Sequence, residues 1–390
     1  MKDLKIIKKI TVDENFKVPI FAVGAELKST FAIGYKNEIF VLENKIIEDE
    51  VKMLKTFKKN YDILINKIGI KPKIVVYDMH PNYLSTKFAQ EVAKKSNLQT
   101  ISVQHHYAHM VSCMLENKIK QNCVGIIFDG TGYGTDGKIW GSEFLVGDRS
   151  GKFTRAGHFD YIDLVSGDLG IKEPYRNVIA FLYKNFSTFN LSLKFLDKFK
   201  NKFKDYKDRF EGIKYLVNDN RVIKTCGMGR LFDVVAVLCG IGFVNNFEGE
   251  LPIGLEKIAV TRIDEVVQKN RLYDYKLIIG KDGNYLIDTN SLLNKIVKDL
   301  EYEIPEPEVA AKFHYTICKI SLDIVKKICK RYKINKIILS GGVFQNKIVT
   351  RILTEMLKKT KYEVYFHKQF SCNDSGVSLG QVVLGNNYSR

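Results

Sequence analysis

The stretch "CVGIIFDGTGYGTDGKIWGSEFLVGD" (residues 123–148) echoes "IFAVGAELKSTFAIGYKNEIFVLEN" (20–44), about a hundred residues earlier. Each is a β-branched and aromatic run, a turn of small residues, and a second such run, which reads as strand, turn and antiparallel strand. A unit of this kind met twice predicts an internally duplicated fold with a cleft between the halves. After the first unit, residues 50–69 carry an amphipathic helix pattern and "KIVVYDM" (73–79) is a short, continuously apolar strand. "YLSTKFAQEVAKKSN" (83–97) follows as helix and "LQTISVQ" (98–104) as strand, an alternation that makes an α/β domain. In the second half, residues from about 165 to 330 are mostly helical in pattern, and "KINKIILSGGVFQNKIVTRILTEMLKK" (333–359) returns to strand, glycine turn and helix. The expected organisation is a lead or linker at 1–19, a first half at 20–120, and a second half at 121–390 that holds the helical insert.

Composition narrows the class. With 390 residues, 45% of them hydrophobic, the chain can bury a large core. The most apolar stretch, residues 231–244, is shorter than the roughly 20 residues a bilayer requires and carries Asp233, so no membrane span is expected. The first residues are basic and lack an apolar segment ending in small residues, so no signal peptide is read and the expected location is cytoplasmic. Seven cysteines without a C-x-x-C pair point to reduced, mostly buried thiols. The net charge of +17 raises nucleic acid as a partner. Much of the lysine, however, is interleaved with acids on helical stretches such as 194–210, and no RNA-binding motif accompanies it, so the charge is read as solvated surface.

The chemistry-bearing residues cluster in a few places. "VQHHYAHMVS" (103–112) puts His105 and His109 at i, i+4 on a helix beginning near Gln104, close enough on one face to share an ion. The alternative is a surface or capping pair. A metal needs further ligands, for which the strand-end carboxylates Asp129 and Asp374 are candidates, and imidazole with carboxylate suits iron or zinc. His106 points elsewhere on the helix. "FDGTGYGTDG" (128–137) follows an apolar strand with backbone N–H groups that can cradle a phosphate, or it is a plain hairpin. Lys28 in "GAELK" is either a point charge for an anion or a surface lysine. "LSGGVFQNK" (339–347) offers Gly341, Gly342 and Asn346 to a planar base or ribose. Asp233 lies in an apolar helix and Glu256 on the next, where a carboxylate can meet ribose hydroxyls; an Asp233–Arg230 ion pair is the alternative. No nucleophile grouping or paired-carboxylate pattern stands out.

Taken in order, "GAELKSTF", "HPNYLSTKFAQE", "VQHHYAHMVSCMLEN", "GIIFDGTGYGTDGKIWGSEFLVGD", "KEPYRNVIAFL", "GMGRLFDVVAVLCGI", "FEGELPIGLE", "LSGGVFQNK" and "NDSGVSLGQ" resemble the C-terminal carbamoyltransferase domain of the HypF family of [NiFe]-hydrogenase maturation proteins. More distant relatives are the TsaD-type tRNA threonylcarbamoyladenosine synthases and the antibiotic O-carbamoyltransferases. The resemblance implies a duplicated actin/sugar-kinase/chaperone-type fold around a nucleotide cleft. It implies that His105, His109, Asp129 and Asp374 hold iron or zinc, and that Gly130, Thr131 and Gly132 cradle a phosphate with Lys28 nearby. Asp233 and Glu256 would contact the ribose, and Gly341, Gly342 and Asn346 the adenine side of an ATP-derived carbamoyl-adenylate. His106 is expected to support the neighbouring loop or the substrate without binding the ion. The implied reaction passes a carbamoyl group to the C-terminal cysteine of HypE. No activating domain of full-length HypF is read in these residues, so as a stand-alone subunit or as a fragment they are expected to transfer but not activate, with a YrdC-type domain acting in trans. "ENKIIEDEVKMLKTF" lacks a Gly-Asp element expected after the first strands, and Cys226 and Met228 stand where small residues precede "GRLFD", which leaves the acceptor open.

Overall fold

The structure is a computed structural model that describes residues 7–26, 30–44, 49–186 and 193–389. Strand β1 (Ile7–Ala22) pairs antiparallel with β2 (Thr30–Glu43). Helix α1 (Glu50–Ile68) then leads to β3 (Ile74–Asp78), and α2 (Leu84–Ser96) to β4 (Gln99–Val103), both strands parallel to β1. Parallel neighbours need such crossovers, which explains why helical periodicity precedes each of these strands. The first sheet has the order β2-β1-β3-β4, and α3 (His105–Glu116) leaves its last strand.

Residues 7–19, expected as a lead, are instead most of β1. Charged residues among them hid the strand: the lysines face solvent and Asp13 and Glu14 pair with Arg149, while Phe16 and Ile20 are buried. Further along β1, Ile20 and Ala22 pack toward the C-terminal segment Val377–Leu384, whereas Phe21 and Val23 pack with Phe57 of α1 and Phe88 of α2. The period-2 alternation thus serves two buried faces.

The second half begins as an antiparallel meander of β5 (Cys123–Tyr133), β6 (Ile139–Gly147) and β7 (Phe153–Phe159). It continues through β8 (Ile162–Val165), α4 (Asp168–Lys172), α5 (Tyr175–Asn185), α6 (Lys194–Lys202), α7 (Tyr206–Asn218), β9 (Val222–Thr225), α8 (Met228–Leu238), α9 (Glu250–Ala259) and α10 (Ile263–Gln268). The hairpin β10 (Leu277–Ile279) and β11 (Tyr285–Ile287) follows, then α11 (Thr289–Glu301) and the long α12 (Glu306–Tyr332). The chain returns through β12 (Lys336–Ser340), α13 (Lys347–Lys359), β13 (Glu363–Tyr365) and α14 (Val377–Tyr388). The expected helical insert therefore also carries β9 and the β10–β11 hairpin, which extends the sheet beyond β7.

Along the second sheet runs the order β6-β5-β12-β13, with β6 antiparallel to β5 and the other pairs parallel. This repeats β2-β1-β3-β4 in order and sense, and β3-α2-β4-α3 repeats as β12-α13-β13-α14. The architecture is therefore a duplicated α/β arrangement of two equivalent sheets. Equivalent helices α3 and α14 meet so closely that a Cβ on Gly380 would lie 1.9 Å from the Ala108 carbonyl oxygen. Among the described residues no helix is long and apolar enough to cross a membrane.

Candidate metal centre and adjoining cavity

Gln104 caps α3, its side chain accepting from Tyr107 N at 3.0 Å, and so starts the helix where the histidines share one face. His105 Nε2 and His109 Nε2 lie 3.1 Å apart. Asp129, at the end of the apolar run of β5, brings Oδ2 to 3.2 Å from His105 Nε2 and 3.1 Å from His109 Nε2. Asp374, in a short turn before α14, brings Oδ1 to 3.6 and 3.4 Å from the same nitrogens. The four ligand atoms all lie within 4.8 Å of one another.

Behind this cluster stands Asp78, the fully buried last residue of β3, whose Oδ2 is 2.7 Å from His105 Nδ1. That bond keeps a proton on Nδ1 and aims Nε2 at the other three groups. Burial works to raise the Asp129 carboxyl, but its bonds with His105 and His109 outweigh that and hold it well below the carboxylate range. Burial works to lower His105, and Asp78, Asp129 and Asp374 together push it well above the ordinary imidazole value. The set thus concentrates negative charge on two converging imidazoles. Two nitrogens and two carboxylate oxygens at one point, with one imidazole oriented by a buried carboxylate, fit a divalent ion such as iron or zinc.

His106 lies outside this group. Its Nδ1 is 3.0 Å from the Gln104 amide Nε2, its own Nε2 is buried without a partner among the described residues, and its ring lies over Gly132. Burial first, and the neighbouring His105 next, lower its pKa to about 3. Lys28 lies outside the described residues.

The other carboxylate oxygen of Asp129 opens on a cavity of about 260 Å³. Asp129 Oδ1 accepts from Gly130 N at 2.9 Å and from Gly342 N at 3.2 Å. Gly130, Gly342, Asn346 and Glu256 line the cavity together with Gly229, Arg230, Phe232 and the 248–253 segment. Glu256 also accepts from Lys347 N at 2.7 Å, at the start of α13.

Several expected contacts fall elsewhere. Asp233 is fully buried behind the cavity, in an ion pair with Arg230 at 3.1 Å and bonded to Asn245 at 3.0 Å, so the ion-pair alternative describes it and the ribose contact does not. Gly132 and Thr131 are not on the lining: a register shift between Phe128 and Gly132 turns the strand, and Gly132 lies under the histidines. A Cβ there would sit 2.4 Å from His106 Cε1. Gly341 also stands off the lining; its φ of 100° and its closeness to Phe128 O serve the turn that brings Gly342 to Asp129.

Two residues escaped sequence reasoning. Asp78 ends an apolar strand just as Asp129 does, and that shared position was its signal. Arg230 was read only as a partner of Asp233, yet it lines the cavity with Nε and Nη1 buried and unpartnered among the described residues.

Comparison with known proteins gives the lineage. The second subdomain of the carbamoyltransferase, Kae1-like domain matches residues 125–381, and the HypF Kae1-like domain matches residues 15–116. The chain belongs to the HypF family. The probable carbamoyltransferase HypF of Methanocaldococcus jannaschii is 31% identical over 386 residues, covering 97% of this chain and 48% of that protein. A crystal structure of full-length HypF in a phosphate- and nucleotide-bound form superposes with a TM-score of 0.85 at 33% identity, over 97% of this chain and 48% of that one. The chain therefore spans about half the length of these HypF relatives. A tRNA N6-adenosine threonylcarbamoyltransferase of Clostridium botulinum is 27% identical over 154 residues, covering 39% of this chain and 43% of that one.

Proposed function

We propose that this HypF-family chain is a metal-dependent carbamoyltransferase that takes carbamoyl-adenylate and carbamoylates the C-terminal cysteine of HypE. The observation that carries this reading is the placement of Asp129, with Oδ2 among the imidazoles and Oδ1 on the glycine backbone of the cavity. An acyl phosphate seated in the cavity then has its reacting carbonyl beside the ligand set and its phosphate beside Arg230. Bound iron or zinc would act as a Lewis acid on the carbamoyl or phosphate oxygen.

The remaining roles belong to the chain's own residues. Asp78 holds His105 in one tautomer, and Gly130 and Gly342 offer close backbone approach. Arg230 places a positive charge on the lining for an anion, and Asn346 and Glu256 line the nucleoside side. Among the described residues the cavity lining carries no hydroxyl or thiol, which agrees with an acceptor that brings its own nucleophile. The acceptor sulfur forms a bond to the carbamoyl carbon, the bond from that carbon to the phosphate oxygen breaks, AMP leaves, and the thiol proton passes to solvent. A YrdC-type domain, on this or another polypeptide, supplies the adenylate.

To test this, the protein loaded with iron or zinc is mixed with carbamoyl-adenylate and HypE, and the acceptor is weighed by intact-mass spectrometry. One carbamoyl on the terminal cysteine is expected, with loss of transfer in His109→Ala. Label on tRNA or on a small hydroxyl compound, and none on HypE, overturns the acceptor; full transfer by His109→Ala overturns the metal dependence.

A further inference from the structure

Asn346 faces the cavity with nearly all of its amide already committed. Its Oδ1 accepts from Val349 N at 3.0 Å and caps α13. Its Nδ2 lies 3.0 Å from Nε2 of His314, a fully buried residue of α12. On the other side of that ring, Nδ1 is 2.8 Å from the carbonyl oxygen of Ala310. A carbonyl only accepts, so the ring proton sits on Nδ1 and Nε2 offers a lone pair. Burial lowers the His314 pKa to about 4, which keeps the ring neutral at physiological pH. The two partners then fix the amide: turned over, its NH2 would face the Val349 N–H and its oxygen the His314 lone pair. One N–H of Nδ2 is left over. Packing alone does not account for His314, whose ring lies 5.1 Å from Phe232 and 6.0 Å from Phe313, because phenylalanine would fill that space without the cost of burying a polar ring.

We propose that His314 is a positioning residue for ligand recognition: by locking the Asn346 amide, it presents a single N–H donor to the cavity, which selects a purine base through one acceptor ring nitrogen. This rests on the reading of the cavity as a nucleotide site. His314 touches no ligand itself and acts only through Asn346.

Isothermal titration calorimetry of the full chain with AMP tests it, using wild type, His314→Phe, His314→Gln, Asn346→Ala and the double variant His314→Phe/Asn346→Ala. His314→Phe is expected to weaken AMP binding about tenfold, the scale of one oriented hydrogen bond. His314→Gln recovers most of that, because its side-chain oxygen accepts near the place of Nε2. In the Asn346→Ala background, His314→Phe adds nothing. A folded His314→Phe protein with wild-type affinity, or additive losses in the double variant, overturns the inference. A measurement on wild type alone stands even where a variant does not fold. Among the monodeaza analogues of AMP, one that removes a ring nitrogen should bind about tenfold more weakly, and equal affinity for all of them overturns the inference. A wild type that does not bind AMP sinks the nucleotide reading and this inference with it. AMP binding that ignores His314 sinks only the latter.

Discussion

Asp78 carries the sharpest expectation for a single residue. Its Oδ2 accepts from His105 Nδ1 and its Oδ1 from His80 N at 2.9 Å, and it is not one of the four ligand groups, so it reaches the cluster through the His105 ring. Asp78→Asn keeps the shape and removes the charge. Outer-shell changes of this kind cost about 10–100-fold in metal affinity, and competition against a chelator, read by metal content, should show a loss in that range with the fold intact by circular dichroism. Unchanged affinity would mean that Asp78 merely fills space. The sequence shows Asp78 as a strand end but gives no link to His105, 27 residues away. The link comes from parallel pairing, which sets Asp78 beside Val103, two residues before the histidine.

At the scale of elements, the close crossing of α3 and α14 positions three of the four ligand groups, since His105 and His109 ride on α3 and Asp374 precedes α14. Gly380→Ala would press its Cβ into the Ala108 backbone and force the helices apart. Overpacking of this kind costs about 1–3 kcal/mol, so urea denaturation should show that loss together with reduced metal content; a variant as stable and as well loaded as wild type would refute the account. The β6–β7 pair holds a second device. Fully buried Glu143 receives Arg155 Nε at 2.6 Å, and the guanidinium lies 3.8 Å over the Trp140 ring. Burial works to raise the Glu143 carboxyl, but Arg155 outweighs it and lowers the pKa to about 2 from an ordinary 4.5. A lowered folded-state pKa contributes stability that is fully present above the unfolded value and is lost as pH falls from about 4.5 toward 2. Denaturation midpoints should fall across that window in wild type, and Glu143→Gln should flatten the fall while losing about 1.5–3 kcal/mol at neutral pH for the lost charge-assisted hydrogen bonds, Arg155 keeping Asp136 at 3.6 Å.

For the whole molecule, the ligand set joins the two halves: His105 and His109 follow the first sheet, and Asp129 belongs to the second. A metal bound only by the folded state stabilises the whole chain, by about 2.7 kcal/mol at a hundredfold excess over Kd. Thermal scans with added zinc or ferrous ion should therefore show a rise in Tm that a chelator reverses and that His109→Ala abolishes. A metal-induced shift that survives in His109→Ala would place the ion elsewhere. The duplication that creates this arrangement was readable as two strand–turn–strand units. Its completeness, with β2-β1-β3-β4 repeated as β6-β5-β12-β13, was not, because the repeat is interrupted by β7 to α12 in one half and by α1 alone in the other.

Features that depend on near neighbours in the chain were legible in the residues alone. The helix that puts His105 and His109 on one face is set by a period of 3.6 and the Gln104 cap, and the apolar runs of β3, β5 and β12 by their own composition. Folding in three dimensions selected which carboxylates stand beside the imidazoles, and it holds Asp233 on Arg230 away from the cavity, Asn346 on His314, and the charged residues before Pro19 in a strand. Periodicity is a local property, whereas each of these outcomes depends on the register between strands or on the meeting of side chains whose partners no local pattern selects.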